Sequence, residues 1–230
     1  MDLKELSLVN PDEHWYYQSK LWVIRKVVKR FAPSARRYVD VGAGSGFFGR
    51  RIPDFESGAH STCVDPNYEH ETEDLGGALL YRKHAPSSSA DVYLFIDVLE
   101  HVESELALLA DYTKPARAGA IFVVTVPAFM SMWSGHDEFL GHFRRYRLYE
   151  VTQVLNAAGL EVLKSRYLFG GIFPIAWLVR RIQRGSSTKS SMRTAPRALN
   201  AILRTLIVME HRFPWNRIAG VSAMVVARKP

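Results

Sequence analysis

Apolar residues follow two patterns along the chain. In some short runs nearly every residue is apolar, which predicts strands buried on both faces of a sheet. In longer stretches apolar residues recur every three or four positions, which predicts amphipathic helices. The patterns predict strands at 38–41, 61–64, 78–81, 91–96, 120–126, 161–167 and 221–227, and helices at 11–30, from about 47, at 103–112 and at 148–158. Strands that alternate with helices predict a mostly parallel sheet covered on both faces.

The composition is that of one globular domain. The 230 residues are 47% hydrophobic and 23% charged, which excludes disordered and fibrous classes. This length suits a single core, so we predict one domain over residues 1–230. The single cysteine, Cys63, excludes an intrachain disulfide framework and fits a reducing compartment. We see neither a signal peptide nor an apolar stretch of about 18 residues, so we expect a cytoplasmic protein.

The positive charge is concentrated in one segment. The net charge is +7, and nine Lys and Arg lie between residues 180 and 217, opposed only by Glu210. This segment follows an apolar run at 168–179 and contains a second predicted helix at 198–211. The apolar run would span about 18 Å as a helix, too short for a bilayer core of about 30 Å. We therefore predict that the two helices lie on an anionic membrane surface, on the inner face; packing on the sheet or on a second subunit is the alternative.

A glycine-rich turn follows the first predicted strand. Gly42, Gly44 and Gly46 would let a ligand approach the backbone beside the start of a helix. Asp65 ends the second strand, where a carboxylate can accept hydrogen bonds from ribose hydroxyls. The spacing differs from that of dinucleotide-binding loops, and Asp40 before the turn would repel a pyrophosphate but pair with an ammonium group. These features favour S-adenosylmethionine, which has an ammonium and no phosphate.

Several segments resemble motifs of the class I S-adenosylmethionine-dependent methyltransferases. They are Val39-Asp40-Val41-Gly42-Ala43-Gly44-Ser45-Gly46, Val64-Asp65-Pro66, Asp97-Val98-Leu99-Glu100-His101-Val102 and 119–127, with 136–146 and 14–17 similar to stretches of one subgroup. The resemblance covers about residues 11–167 and 218–228. It implies a doubly wound, Rossmann-like α/β fold with a seven-stranded, mostly parallel sheet in which one strand is antiparallel.

The resemblance also implies how S-adenosylmethionine is bound. The three glycines would pass beneath the methionine part, Asp65 would hold the ribose, and Asp97 and Val98 would line the methionine or adenine side. The family usually has an acidic residue after the third strand, but this chain has Arg82-Lys83-His84 there. The family also has a short connection before its last strand, whereas residues 168–217 intervene here as a helical insertion.

Three histidines are candidate catalytic residues. Methyl transfer depends mainly on alignment and desolvation, but an acceptor hydroxyl can need a base. His136 and His142 belong to segment 128–147, which we expect to be a loop over the substrate, with Asp137 orienting a histidine or capping a turn. His101 follows the fourth strand and has a structural alternative, in which it only stabilises its loop.

Charged residues near these histidines leave two further questions open. Arg144 and Arg145 would bind an acidic group of the acceptor or form a solvated surface pair. Glu100, with His101 and the acids that follow, suggests a divalent metal, but acids are also typical of a helix start. We predict no metal, because the sequence shows no tight ligand spacing.

The sequence therefore predicts methyl transfer from S-adenosylmethionine to a small or lipid-linked acceptor at a membrane surface. A nucleic-acid methyltransferase that uses the basic segment is one alternative, and its many apolar residues make nucleic acid an unlikely partner. A cofactor-binding assembly factor without catalysis is another. The acceptor atom is not predicted, because function follows the site and not the fold.

Overall fold

The structure is a computed structural model that describes residues 10–86, 89–182, 197–211 and 216–230. Its strands are β1 (Arg37–Val41), β2 (His60–Val64), β3 (Thr72–Asp74), β4 (Leu79–Arg82), β5 (Val92–Ile96), β6 (Ile121–Pro127), β7 (Glu161–Leu168) and β8 (Ser222–Arg228). Its α-helices are α1 (Trp15–Phe31), α2 (Phe47–Arg51), α3 (Glu105–Thr113), α4 (Gly135–Leu140), α5 (Leu148–Ala157), α6 (Phe173–Ile182) and α7 (Arg197–His211).

The strands form one sheet in the order β3-β4-β2-β1-β5-β6-β8-β7. Strands β4, β2, β1, β5 and β6 are parallel, whereas β8 runs antiparallel to both of its neighbours. All seven predicted strands are therefore present, and the doubly wound α/β class is confirmed. The count differs by one, because the short strand β3 pairs antiparallel with β4 at the sheet edge. Its three residues are exposed, so no apolar pattern marks them.

Helices cover both faces of the sheet, as the continuous apolar runs require. In β5 all five residues are buried and successive side chains point to opposite faces. Tyr93 and Phe95 pack with residues of α3 and α5, and Leu94 and Ile96 pack with residues of α1 and α2. Packing on both faces keeps the parallel strands aligned, so their carboxyl ends lie together along one edge of the sheet. Ligands bind at this edge in open α/β folds.

The two predicted helices of the insertion are both present but differ in their packing. Helix α7 lies against α1, its Ile207 is buried in the core, and the amide of Trp15 donates to Oδ1 of Asn200 at 3.3 Å. In contrast, α6 has no buried residue. Arg184, Lys189, Arg193 and Arg212 of the basic segment lie outside the described residues. Within the described residues, every helix is too short or too polar to cross a bilayer.

Segment 128–147, expected to be a loop, contains the helix α4. Ser134 caps it: the backbone amide of Ser134 donates to Oδ2 of Asp137 at 2.9 Å, and Gly141 ends it with φ of 75°. An N-terminal Ser with Asp three residues later, then a Gly, is a recognisable pair of helix boundaries. The prediction of a loop was wrong because the helix is only six residues long and shows no apolar period.

Candidate functional site

Two cavities open at the carboxyl ends of the parallel strands. The glycine-loop cavity, of about 450 Å³, has a lining that includes Gly42, Gly44, Asp65, Asp97, Val98 and His101. The aromatic cavity, of about 330 Å³, has a lining that includes Trp15, Tyr16, Tyr17, Phe48, Ile172 and Val179. Asp97 and His101 line both cavities, so the cavities meet at these two residues.

The glycine loop is anchored on the end of β2. The amide of Gly44 donates to Oδ2 of Asp65 at 2.8 Å, and the amide of Asn67 donates to Oδ1 at 3.0 Å. Gly42 has φ of 61°, and a Cβ there would lie 2.8 Å from the side chain of Val98. A larger residue at 42 is thus excluded by strain and by contact, which keeps the cavity floor as bare backbone.

Asp40 and Gly46 do not line the glycine-loop cavity. Asp40 is buried and accepts a hydrogen bond from the amide of Gly49 at 2.8 Å, and burial raises its pKa to about 6. A Cβ on Gly46 would lie 2.7 Å from the ring of Tyr81. A Cβ on Gly49 would collide with Sγ of Cys63. These residues pack α2 against the sheet. The pairing of Asp40 with a ligand ammonium stays a prediction.

Asp97 holds the boundary between the cavities. It has φ of 56°, a conformation that is uncommon for a residue other than glycine. Its Oδ2 lies 2.5 Å from Nζ of Lys20, and its Oδ1 accepts from the hydroxyl of Thr125 at 3.0 Å. Burial acts to raise the pKa of Asp97, but the ammonium of Lys20 outweighs it and holds that pKa below its usual range.

Lys20 was missed in the sequence, where it appears as one polar residue on an apolar helix face. Its side chain is fully buried on α1, and its Nζ also donates to the hydroxyl of Tyr16 at 2.7 Å. Tyr16 hydrogen-bonds in turn to Ser222 at 3.2 Å. A lysine on the apolar face of a helix indicates a buried ammonium, which must be paired with a carboxylate or another hydrogen-bond acceptor.

His142 follows α4, and its ring lies 4.6 Å from that of His101 at the same boundary. Its Nδ1 lies 2.9 Å from Oδ1 of Asp137. An ionised carboxylate only accepts hydrogen bonds, so Nδ1 carries the proton and Nε2 is left as the basic nitrogen. Burial would raise the pKa of Asp137, but His142 and Arg145 hold it well below its usual range. The amide of Phe143 donates to the carbonyl of Glu100 at 2.7 Å, which fixes His142 beside the turn after β5.

Glu100, His101 and His142 form a cluster of side chains that could ligate a metal ion. One ligand atom from each lies within 4.8 Å of the others, and the two imidazole rings are 4.6 Å apart. Glu100 is fully buried, and neither of its carboxylate oxygens has a hydrogen-bond partner among the described residues. Burial therefore raises its pKa well above the ordinary value. The expectation that no metal binds stays a prediction.

Two arginines border the aromatic cavity. Arg145 is buried, and its Nε donates to Oδ1 of Asp137 at 2.7 Å. Arg180, from α6, donates from Nη1 to the carbonyl of Met132 at 2.8 Å. Arg144 points elsewhere and pairs with Glu105 at 2.7 Å. Arg144 and Arg145, adjacent in sequence, therefore face different partners. Arg180 was not predicted at this site, because only the fold brings it near the cavity.

Known proteins resemble the chain weakly in sequence and clearly in fold. No family model matches it. A protein of Mycolicibacterium smegmatis named as a probable S-adenosylmethionine-dependent methyltransferase is 23% identical over 168 residues, which are 70% of this chain and 65% of that protein. The chain thus spans slightly less than two thirds of this relative.

Two solved structures have similar folds. The complex between the Haloferax volcanii Trm112 methyltransferase activator and the putative methyltransferase gives a TM-score of 0.57 at 14% identity, covering 95% of this chain and 90% of that chain. Haemonchus contortus phosphoethanolamine N-methyltransferase 2, solved with S-adenosyl-L-methionine, gives 0.54 at 14% identity, covering 91% and 53%. The chain has the class I methyltransferase fold. The resemblance seen in the sequence motifs is thereby confirmed at the level of fold.

The methyltransferase fold brings most predicted site residues together. The three predicted histidines, His101, His136 and His142, all line the aromatic cavity. His136 is buried, which lowers its pKa to about 4 and keeps it neutral at physiological pH. The glycine-loop cavity is also lined by Asp111 of α3. This carboxylate lies far in sequence from the third strand, after which the family usually has an acidic residue.

The burial of Glu100 predicts a pH-dependent stability. Folded Glu100 keeps a proton that the unfolded chain loses above its ordinary pKa, so the native state loses stability as pH rises. Because Gln cannot ionise, Glu100→Gln should raise Tm at about pH 8 by roughly 2–4 °C and less at about pH 5. Thermal unfolding followed by circular dichroism in EDTA measures this.

Glu103→Gln is the control, because Glu103 is exposed. A Tm for Glu100→Gln at or below that of the native protein at both pH values would contradict the prediction. Adding Mn²⁺ or Zn²⁺, without EDTA, to the native protein and to Glu100→Gln also tests the expectation that no metal binds. Stabilisation of the native protein alone would show that Glu100 and its neighbouring histidines hold a cation.

Proposed function

We propose that this protein transfers a methyl group from S-adenosylmethionine in the glycine-loop cavity to an acceptor in the aromatic cavity. The observation that carries the proposal is that the two cavities meet at Asp97 and His101. Methyl transfer is a direct displacement, so the sulfonium methyl group and the acceptor atom must touch in line. Adjacent cavities with one shared boundary satisfy this requirement.

The cofactor would be held mainly by backbone and by carboxylates. The bare floor at Gly42 and Gly44 suits a close approach. Asp65 accepts from the amide of Gly44 at Oδ2 and from the amide and side chain of Asn67 at Oδ1, so Oδ2 keeps a lone pair for a ribose hydroxyl. We assign Asp111 to the adenine amino group, because it supplies a carboxylate to this cavity. Asp97 is already paired with Lys20, so its task is to hold the boundary.

Asp65→Ala should weaken binding of S-adenosylmethionine by about 1.5–3 kcal/mol, the contribution of a hydrogen bond to a charged group. Isothermal titration calorimetry measures the affinity. Glu56→Ala is the control, because Glu56 is exposed at the amino end of β2, away from the cavity. Unchanged affinity would remove Asp65 from the site, and tighter binding of NAD than of S-adenosylmethionine would contradict the assignment of the cofactor.

His142 is the residue best placed to accept a proton from the acceptor. As the acceptor atom bonds to the methyl carbon, the carbon–sulfur bond breaks and its electron pair stays on sulfur. A hydroxyl acceptor then has a proton to lose, and Nε2 of His142 can take it. Asp137 supports this role, because its hydrogen bond to Nδ1 fixes the tautomer and stabilises the imidazolium.

His142→Ala should lower turnover by about 10²–10⁴-fold, the usual contribution of a general base, and should leave cofactor affinity nearly unchanged. Turnover is followed as S-adenosylhomocysteine formed from labelled cofactor with small-molecule and lipid extracts as the acceptor source. His60→Ala, on the exposed start of β2, is the matched control. Equal turnover of mutant and native enzyme would make His142 structural, and no product with the native protein would favour the non-catalytic assembly factor.

We propose that the acceptor reaches the aromatic cavity from a membrane surface and is small or lipid-linked. Ile172, just before α6, and Val179 of α6 line the cavity, while Leu178 and Ile182 of α6 expose 53% and 75% of their surface. An exposed apolar helix face beside a cavity suits insertion among lipid headgroups. In contrast, Arg180 is turned towards the cavity, so the described residues give nucleic acid little basic surface here.

Native protein should float with anionic liposomes in a density gradient, and the double variant Leu178→Glu with Ile182→Glu should stay at the bottom. Two charges on the inserted face would have to enter the apolar boundary, which is costly. Leu106→Glu is the matched control, because Leu106 is a comparably exposed residue on α3. Native protein that stays folded and does not float at low salt would contradict the membrane proposal.

A further inference from the structure

We propose that Arg145 and Arg180 bind an anionic group of the acceptor, a carboxylate or a phosphate, inside the aromatic cavity. This inference rests on the proposed function, because it describes the molecule that would receive the methyl group. It adds a substrate class: an apolar or aromatic body that carries a negative charge.

The first observation is a charge imbalance around one buried carboxylate. Oδ1 of Asp137 accepts from Arg145 at 2.7 Å and from His142 at 2.9 Å. Oδ2 accepts from the amide and hydroxyl of Ser134 at 2.9 and 3.2 Å, and Nη1 of Arg180 lies 3.5 Å away. Two guanidinium groups therefore share one carboxylate whose hydrogen-bonding capacity is nearly filled. Within the described part of the chain, one positive charge at this wall is left without a matching negative charge.

The other charged groups of the lining do not supply that negative charge. Asp97 is paired with Lys20 across the boundary. Glu100 makes no hydrogen bond from either carboxylate oxygen within the described part of the chain, so it bonds to neither arginine. His136 adds no charge of its own at physiological pH, since burial lowers its pKa to about 4.

The second observation is where the surplus charge lies. Arg145 is 4% exposed, and the side chain of Arg180 is 15% exposed. Burial and the neighbouring charge of Arg145 together lower the pKa of Arg180 to about 10, so Arg180 remains a cation at neutral pH. A cation removed from water needs a partner, and a guanidinium suits the paired oxygens of a carboxylate or phosphate.

The third observation concerns the insertion. Arg180 comes from α6, which has no buried residue and is fixed partly through the bond from Arg180 to Met132. The same helix brings Ile175, Ala176 and Val179 to the cavity wall. The insertion thus provides both an apolar wall and a cation. Together they suit a ligand that has an apolar body and an acidic group.

The test compares isosteric probes on protein saturated with S-adenosylhomocysteine. Binding of 2-naphthoate and of neutral 2-naphthamide is measured by ligand-observed NMR and calorimetry. We expect the acid to bind at least about tenfold more tightly than the amide, and Arg180→Gln to reduce this preference to about threefold or less. Arg181→Gln is the matched control, because Arg181 is exposed and lies over the ring of Trp177 instead of the cavity.

A second pair of probes distinguishes a free acid from a lipid headgroup. Vesicles of phosphatidylcholine with or without phosphatidic acid are compared for binding to native protein and to Arg180→Gln. Preference for naphthoate in solution indicates a free acid. Arg180-dependent binding to phosphatidic acid without a naphthoate preference indicates a lipid-linked one. No preference for the anion in either arm overturns the proposal.

Arg180→Lys separates recognition of charge from support of the helix. Lysine keeps the charge, so it should retain part of the preference for the acid. If Gln and Lys weaken the acid and the amide equally, Arg180 only anchors α6 and the proposal is wrong. Binding of S-adenosylhomocysteine and Tm are measured for every variant to verify folding. A native protein that prefers the acid but does not bind S-adenosylhomocysteine would refute the proposed function and leave the anion site standing.

Discussion

An ion pair between the fully buried Lys20 and the half-buried Asp97 determines how the two cavities are arranged. A buried ammonium is tolerated only where close geometry and further hydrogen bonds compensate for lost hydration, here through Asp97 and Tyr16, while Thr125 holds Asp97 in place. Loss of Asp97 would leave the charge of Lys20 buried without its counter-charge. Helix α1, with its aromatic side chains, and the turn after β5 therefore keep one relative position. The cavities on either side keep their common boundary for the same reason.

The sequence predicted those elements whose cause is local. Burial on both faces makes a strand such as β5 continuously apolar. Gly44 and Asp65 each follow a predicted parallel strand, so the sequence places both at the same edge of the sheet. The strand β3 has three exposed residues and exists only because it pairs with β4, so no local pattern predicts it. Helix α4 had readable boundaries in Ser134 and Gly141, but it is too short to show an apolar period.

The roles of individual site residues depended on contacts that the sequence does not contain. Lys20 looked like an ordinary helix residue, and Arg180 looked like part of a basic segment, until the fold placed one against Asp97 and the other near Asp137. Asp40 and Gly46 belong to the segment that we predict to bind the cofactor, yet Asp40 holds the amide of Gly49 and Gly46 lies against the ring of Tyr81. A sequence motif therefore locates a site within the fold more reliably than it tells which of its residues line a cavity and which only support the loop.

The contact between Gly49 and Cys63 makes the chain's single thiol an internal probe of the loop. Cys63 is fully buried under α2, and burial raises the pKa of its thiol, so the thiol is both shielded and protonated in the folded protein. A thiol reagent can reach it only when α2 lifts from the sheet, and the rate of labelling then reports how often that happens. The glycine loop leads directly into the same helix, with Gly46 as its N-cap. A ligand seated on the loop should therefore slow the labelling of a sulfur atom that it never touches.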